Sequence, residues 1–200
     1  MPKQPGVLSR EPFRLFFPLA ALATSAGVML WPLFHFQALS YFPGLVHARV
    51  MSAGLAGFLL GFLGTAVPRL LSAPSLHRAE IAAVLSLWLA SLGLYLANRL
   101  SLGDSFLAGA LGLAAVSLLV RWTMLATDTP PPGVPVALVA LLCGALSMAA
   151  LAWEGGRWLS ALDYRLAHLF LYQGLPLLCL LGIGPYLFPR LFGRESSHSF

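Results

Sequence analysis

The sequence predicts an all-α fold: a polytopic bundle of about six transmembrane helices with both termini cytoplasmic. Three observations predict it. The 200 residues are 58% hydrophobic and only 10% charged, with a mean hydropathy of +0.82, whereas soluble domains carry about 25% charged residues. The apolar residues come in runs long enough to cross a bilayer, separated by short polar or proline-rich stretches. Two of these runs share a plan. His47 precedes Pro68-Arg69-Leu70 by the same interval that separates His168 from Pro189-Arg190-Leu191. A helix from histidine to proline rises ~32 Å, close to a hydrocarbon core of ~30 Å.

Residues 1–12 are polar and read as a disordered N-terminal tail, 13–188 as the six-span bundle, and 189–200 as a cytoplasmic C-terminal tail. Span one runs from about Phe13 to Phe36. Its length argues against a cleaved signal peptide ending near Ala23, because the apolar run continues past that point. A turn with Tyr41 and Pro43-Gly44 leads to span two, from His47 to about Leu71. Span three covers about Ala79–Leu100, and Asn98-Arg99 with Gly103-Asp104 read as a tight turn before span four, Ser105 to Leu125. Three consecutive prolines, Pro130 to Pro132, force a loop before span five, Val134 to Trp153. A polar loop with Gly155-Gly156 precedes span six, Tyr164 to Leu187.

An even number of spans puts both termini on one side. Eight of the Lys and Arg residues fall on that side (Lys3, Arg10, Arg14, Arg69, Arg78, Arg121, Arg190, Arg194) against four on the other. Basic residues mark the cytoplasmic side, so that side holds the termini. The net charge of +5 is spread over helix ends, which excludes a basic-aromatic nucleic-acid surface. Cys143 and Cys179 lie in apolar runs and read as packing residues. No Ser-His-Asp arrangement, phosphate loop or carboxylate pair within a span appears, so soluble enzyme chemistry has no support and no catalytic residue is assigned.

A membrane helix has little reason to keep an imidazole without a partner. In this topology His35, His47 and His168 share one depth on the outer side, while His77 and His198 fall on the cytoplasmic side. Met51 lies one turn from His47, and Tyr172 one turn from His168. Imidazole and thioether ligate haem iron, and imidazole also suits copper. The expected metal ligands are therefore His47 and His168, with Met51, Tyr172 and His35 beside them. Trp31, Phe34 and Phe36 would edge a haem, Arg49 or Arg99 would meet its propionates, and Asp163 or Glu154 would orient His168. The competing reading is that these histidines bond to loops and interfacial water. Ala53, Gly57, Gly61 and Thr65 form a small-residue stripe that makes span two central to packing. Arg121 is expected to snorkel, and Gly174, Pro176, Gly182, Gly184 and Pro185 to kink span six.

The run Leu45-Val46-His47-Ala48-Arg49-Val50-Met51, with Ala56-Gly57-Phe58-Leu59-Leu60 and Thr65-Ala66-Val67-Pro68, resembles the NnrS family of bacterial membrane proteins. Pro12-Phe13-Arg14-Leu15-Phe16-Phe17 is similar to that family's opening. Leu171-Tyr172-Gln173-Gly174, Gly182-Ile183-Gly184-Pro185 and Phe188-Pro189-Arg190 are similar to one of its middle helices. The resemblance implies a haem- and copper-containing protein of the bacterial inner membrane, tied to the nitric-oxide response. Two departures stand out. The family pattern has a second histidine and an acidic residue where this chain has Arg49 and Val50. Family members are also typically about twice as long, which implies a homo-dimer or a partner half for this chain. A half-size transporter or channel assembling as a dimer is the alternative function, and a cofactor-free assembly subunit is a third.

Overall fold

The computed structural model describes residues 6–129 and 131–193. Among them all regular structure is helical. The helices are α1 (Val7–Arg10), α2 (Phe13–His35), α3 (Gly44–Leu70), α4 (Arg78–Leu96), α5 (Leu100–Val120), α6 (Gly133–Ala152), α7 (Ala161–Leu169) and α8 (Leu175–Leu191). A π turn, Arg121–Leu125, continues α5, and a second, Phe170–Gly174, joins α7 to α8. Six helical segments are long and apolar enough to cross a membrane: Phe13–His35, Gly44–Leu70, Arg78–Leu96, Leu100–Leu125, Gly133–Ala152 and Ala161–Tyr186. These are the six spans anticipated from hydropathy. Of the expected terminal tails, residues 1–5 and 194–200, with His198, lie outside the described residues; Val7–Arg10 forms a helical turn.

Helix α3 is the axis of the bundle. In its most apolar stretch 67% of residues are buried, against 28% in α2. The small-residue stripe explains why. A Cβ on Gly57 would collide with the Trp88 ring, and one on Gly61 would lie 2.7 Å from Phe16 Cβ. The missing side chains let α2 and α4 approach the α3 backbone closely. Trp88 is fully buried and donates its indole N–H to the Ala53 carbonyl at 2.7 Å. The Thr65 hydroxyl accepts from the Phe13 amide at 3.3 Å, satisfying one unpaired donor at the start of α2.

On the other side α5, α6 and α8 pack in sequence around Leu107, Leu111, Leu141 and Ile183, all buried. Here Gly133 and Gly182 let the backbones of α6 and α8 touch; a Cβ on Gly133 would overlap the Gly182 carbonyl oxygen. Gly182 of span six therefore acts in packing, while Gly174 ends the π turn. The break in that span is the π turn, and the chain stays helical through Pro185 and Pro189.

Two loops differ from the anticipated boundaries. Gly103-Asp104 is not a turn: α5 begins at Leu100 and both residues are buried inside it. Arg121 does not snorkel. It is 6% exposed, and its guanidinium donates to the carbonyls of Pro74, Ser75 and Ser117 and to both carboxylate oxygens of Glu80, at 2.6–3.2 Å. Glu80 also accepts from the His77 amide, closing a capping box at the start of α4. One charge-assisted cluster thus ties the α3–α4 loop to the end of α5.

Outside the spans, Arg14 and then Arg69 hold the Glu11 carboxyl below its ordinary value of 4.5. A depressed acid contributes stability above its unfolded value and loses it as pH falls through the folded one, so this link is lost only in acid below 4.5.

Two glycine substitutions separate packing from propensity. Gly133→Ala drives a methyl into the α6–α8 contact and is expected to cost about 1–3 kcal/mol or more. Gly93→Ala, with nothing within 4 Å of the added Cβ, is expected to be neutral or to stabilise by up to ~1 kcal/mol. Unfolding midpoints of the two variants in detergent check both signs.

Candidate functional site

A polar cluster lies about one turn inside the bundle, at the end where α2 stops and α3 starts. Arg49 on α3 and Asp104 on α5 form an ion pair, Nε to Oδ1 at 2.9 Å, with only 9% and 2% of each residue exposed. Tyr95 on α4 donates its hydroxyl to the same Asp104 Oδ1 at 2.8 Å, and its Oη lies 3.7 Å from Met148 Sδ on α6. Arg49 Nη1 donates to the Tyr172 hydroxyl oxygen at 2.8 Å. Residues of α3, α4, α5 and the second π turn meet in one network, and no buried side-chain nitrogen or oxygen among the described residues lacks a partner. That satisfaction is what makes two charges tolerable in an apolar bundle.

The network reaches the rim of the bundle through Tyr172. Its ring lies 5.5 Å from the His168 ring, which lies 4.3 Å from the Tyr164 ring. His168 Nδ1–H donates to the Tyr164 carbonyl at 2.9 Å. An open cleft of about 290 Å³ sits here, lined by Tyr164, Arg165, His168, Leu169, Tyr172 and Gln173. The histidine is bracketed by two phenols and held by one carbonyl.

His47 sits differently. Its Nδ1–H donates to the Gly27 carbonyl at 2.9 Å, and its ring meets Trp31 edge-on at 5.7 Å. Met51 lies against the same glycine: a Cβ there would be 3.0 Å from Met51 Sδ. Imidazole and thioether therefore share the α2-facing side of α3, as the one-turn spacing anticipated. Arg49, two residues past His47, is rotated by about 200° on the helix, and it is Arg49 that touches the Tyr172 segment. The fold therefore brings His168 together with Tyr172 and His47 together with Met51; no hydrogen bond or ring contact among the described residues joins the two imidazoles.

The flanking residues also have definite places. His35 is exposed, and among the described residues its ring meets Phe36, at 5.4 Å. Trp31 and Phe34 pack on Phe42 rather than around a slot. Arg49 is committed to Asp104 and so does not face outward for an acidic ligand group; Arg99 is exposed at the start of α5. The Asp163 carboxylate accepts from Ser160 at the start of α7; the side chain of Glu154 lies outside the described residues.

Sequence reasoning missed Asp104 and Tyr95. The available signal was the charge rule itself: an arginine five residues inside one span needs a carboxylate at equal depth, and Asp104 is the acid so placed.

For a cofactor the donor chemistry fits one imidazole at a time. A carbonyl accepts only from N–H, so Nδ1 of both His47 and His168 is the donor, and Nε2 is the ring nitrogen left for a ligand. Metal-bound histidines usually have this tautomer, the other ring nitrogen donating to a carbonyl. Among the described residues no three His, Cys, Asp or Glu side chains converge as an ion-binding cage. An axial ligand to a planar group needs no such cage.

A family model described as NnrS protein matches residues 7–185. The chain belongs to the NnrS family. No curated protein matches it, and no solved structure does. The NnrS match runs from α1 into α8 and takes in both histidines and the whole Arg49–Asp104–Tyr95–Tyr172 network. Arg49 is a buried part of this chain's core within the matched span.

The network predicts a stability pattern. Asp104→Ala strands a buried guanidinium and is expected to cost about 3–5 kcal/mol. Arg49→Met with Asp104→Leu removes both charges and is expected to cost far less than the sum of the singles. Chemical unfolding in detergent, arranged as a double-mutant cycle, gives the coupling.

Proposed function

We propose that this NnrS-family protein resides in the bacterial inner membrane, with both termini cytoplasmic, and binds haem through Nε2 of His168 in the service of nitric-oxide tolerance. The observation that carries the reading is the tautomer of His168, fixed by its bond to the Tyr164 carbonyl and presented in an open cleft. The orientation is supported by the arginines: buried Arg121 and buried Arg49 fall on opposite sides, so discounting both leaves the basic excess on the side of the termini.

A haem held there would supply an iron centre for a diatomic ligand and for electron exchange. The chain's own residues do the rest. Tyr164 and Tyr172 fix the plane of the imidazole, Arg49 fixes Tyr172, and Asp104 fixes Arg49. Arg165, exposed beside the cleft, suits an acidic substituent of the group. His47 and Met51 form a separate nitrogen–sulfur pair on the α2 side, the donor chemistry that suits copper in its reduced state. The transporter alternative is less favoured, because the π turn that breaks span six stays helical and leaves no unwound segment between α7 and α8.

Purified protein loaded with haemin is expected to show a Soret band that His168→Ala abolishes and His47→Ala leaves in place. Copper content by metal analysis is expected to fall in His47→Ala and Met51→Leu. A haemin-loaded protein without the band, or a band indifferent to His168, overturns the haem assignment.

A further inference from the structure

We propose that the groove between the α1–α2 segment and α4 is a binding site for an anionic phospholipid, with its phosphate on Arg78 and an acyl chain lying along Leu15, Ile81 and Leu85. The groove holds about 460 Å³, and apart from Arg78 its lining is apolar or glycine. Its mouth lies where α2 starts at Phe13 and α4 at Arg78, the level at which both spans leave the hydrocarbon. Val7 and Leu8 of α1 are 62% and 50% exposed beside it, just ahead of the first span. Apolar side chains at that position lie along the interface plane, where head groups meet acyl chains.

Charge complementarity selects the head group. Glu11 is engaged by Arg14 and Arg69. Glu80, two residues from Arg78, is turned inward to Arg121. Of the acids described at this end, Glu11 and Glu80 are therefore committed, Asp128 lies in the exposed loop after α5, and no described carboxylate forms an ion pair with Arg78. Its exposed guanidinium lies against Gly6, where a Cβ would collide with it, and so sits at the groove mouth. A second cleft of about 290 Å³, lined by Arg10, Arg69, Thr65 and Ser75, opens at the same end of the bundle. A guanidinium at the mouth of an apolar trough is complementary to a phosphate carrying a hydrocarbon chain. A free anion would use the guanidinium and waste the trough; a zwitterionic lipid would bring a cation to a basic rim.

The test is native mass spectrometry of the full chain from detergent, titrated with phosphatidylglycerol, phosphatidylcholine or inorganic phosphate. Phosphatidylglycerol is expected to bind in preference to phosphatidylcholine. Arg78→Gln is expected to weaken it about fivefold, the worth of one basic residue near an anionic surface. Ala82→Trp keeps every charge and fills the trough, so it is expected to weaken phosphatidylglycerol as well; Arg99→Gln, at the opposite end, is expected to leave it unchanged. Ala82 is an exposed position, which keeps the test decisive if Arg78→Gln folds poorly. Equal binding of the two lipids, equal effects of Arg78→Gln and Arg99→Gln, indifference to Ala82→Trp, or displacement of the lipid by millimolar phosphate would each overturn the proposal.

Discussion

The ion pair between Arg49 and Asp104 is the constraint around which this bundle is arranged. Two opposite charges inside apolar helices must meet, because either alone would carry a desolvation penalty of several kcal/mol. Their meeting fixes the depth and rotation of α3 against α5. Tyr95 then locks α4 to the same carboxylate, and Tyr172 locks the second π turn to the same guanidinium. Hydrophobic burial gives the helices no preferred rotation in lipid, where tails are as apolar as leucine. Directional polar bonds do. The Arg121 cluster performs the same office at the other end, pinning the α3–α4 loop to α5.

The rim histidine inherits its geometry from that core. Asp104 holds Arg49, Arg49 holds Tyr172, and the Tyr172 ring flanks His168. A ligand at His168 would thus rest on a side chain whose position is set several residues deep in the bundle. Membership of the NnrS family frames the chain, while Arg49 gives its interior a charge pattern of its own.

The six spans were legible because length and hydropathy are properties of single segments. The stripe Ala53, Gly57, Gly61 and Thr65 was legible for the same reason, and it does place α3 at the centre. Asp104 was hidden because glycine followed by aspartate is favourable in a turn; only the distant Arg49 makes a helical, buried aspartate the better state. Arg121 was misplaced on similar grounds, since snorkelling is the default for an arginine that has no known partner. The repeated position of His47 and His168 gave their depth, each at one end of a span. What spacing could not give was rotation about the helix axis: His47 and Arg49 are near neighbours in sequence and look in opposite directions, so matched depth did not fix which of them would meet span six.

The two π turns deserve a last consequence. Each contains a member of a buried arginine network, Arg121 in one and Tyr172 in the other. A π turn takes up one residue more than an α turn, so it resets the phase of everything beyond it by roughly 100°. In span six this lets the segment above the turn aim His168 at the rim while the segment below aims Cys179 and Ile183 at α6. One helix can in this way satisfy two neighbours whose demands a uniform screw would set at odds, and loss of a single residue there would force it to choose between them.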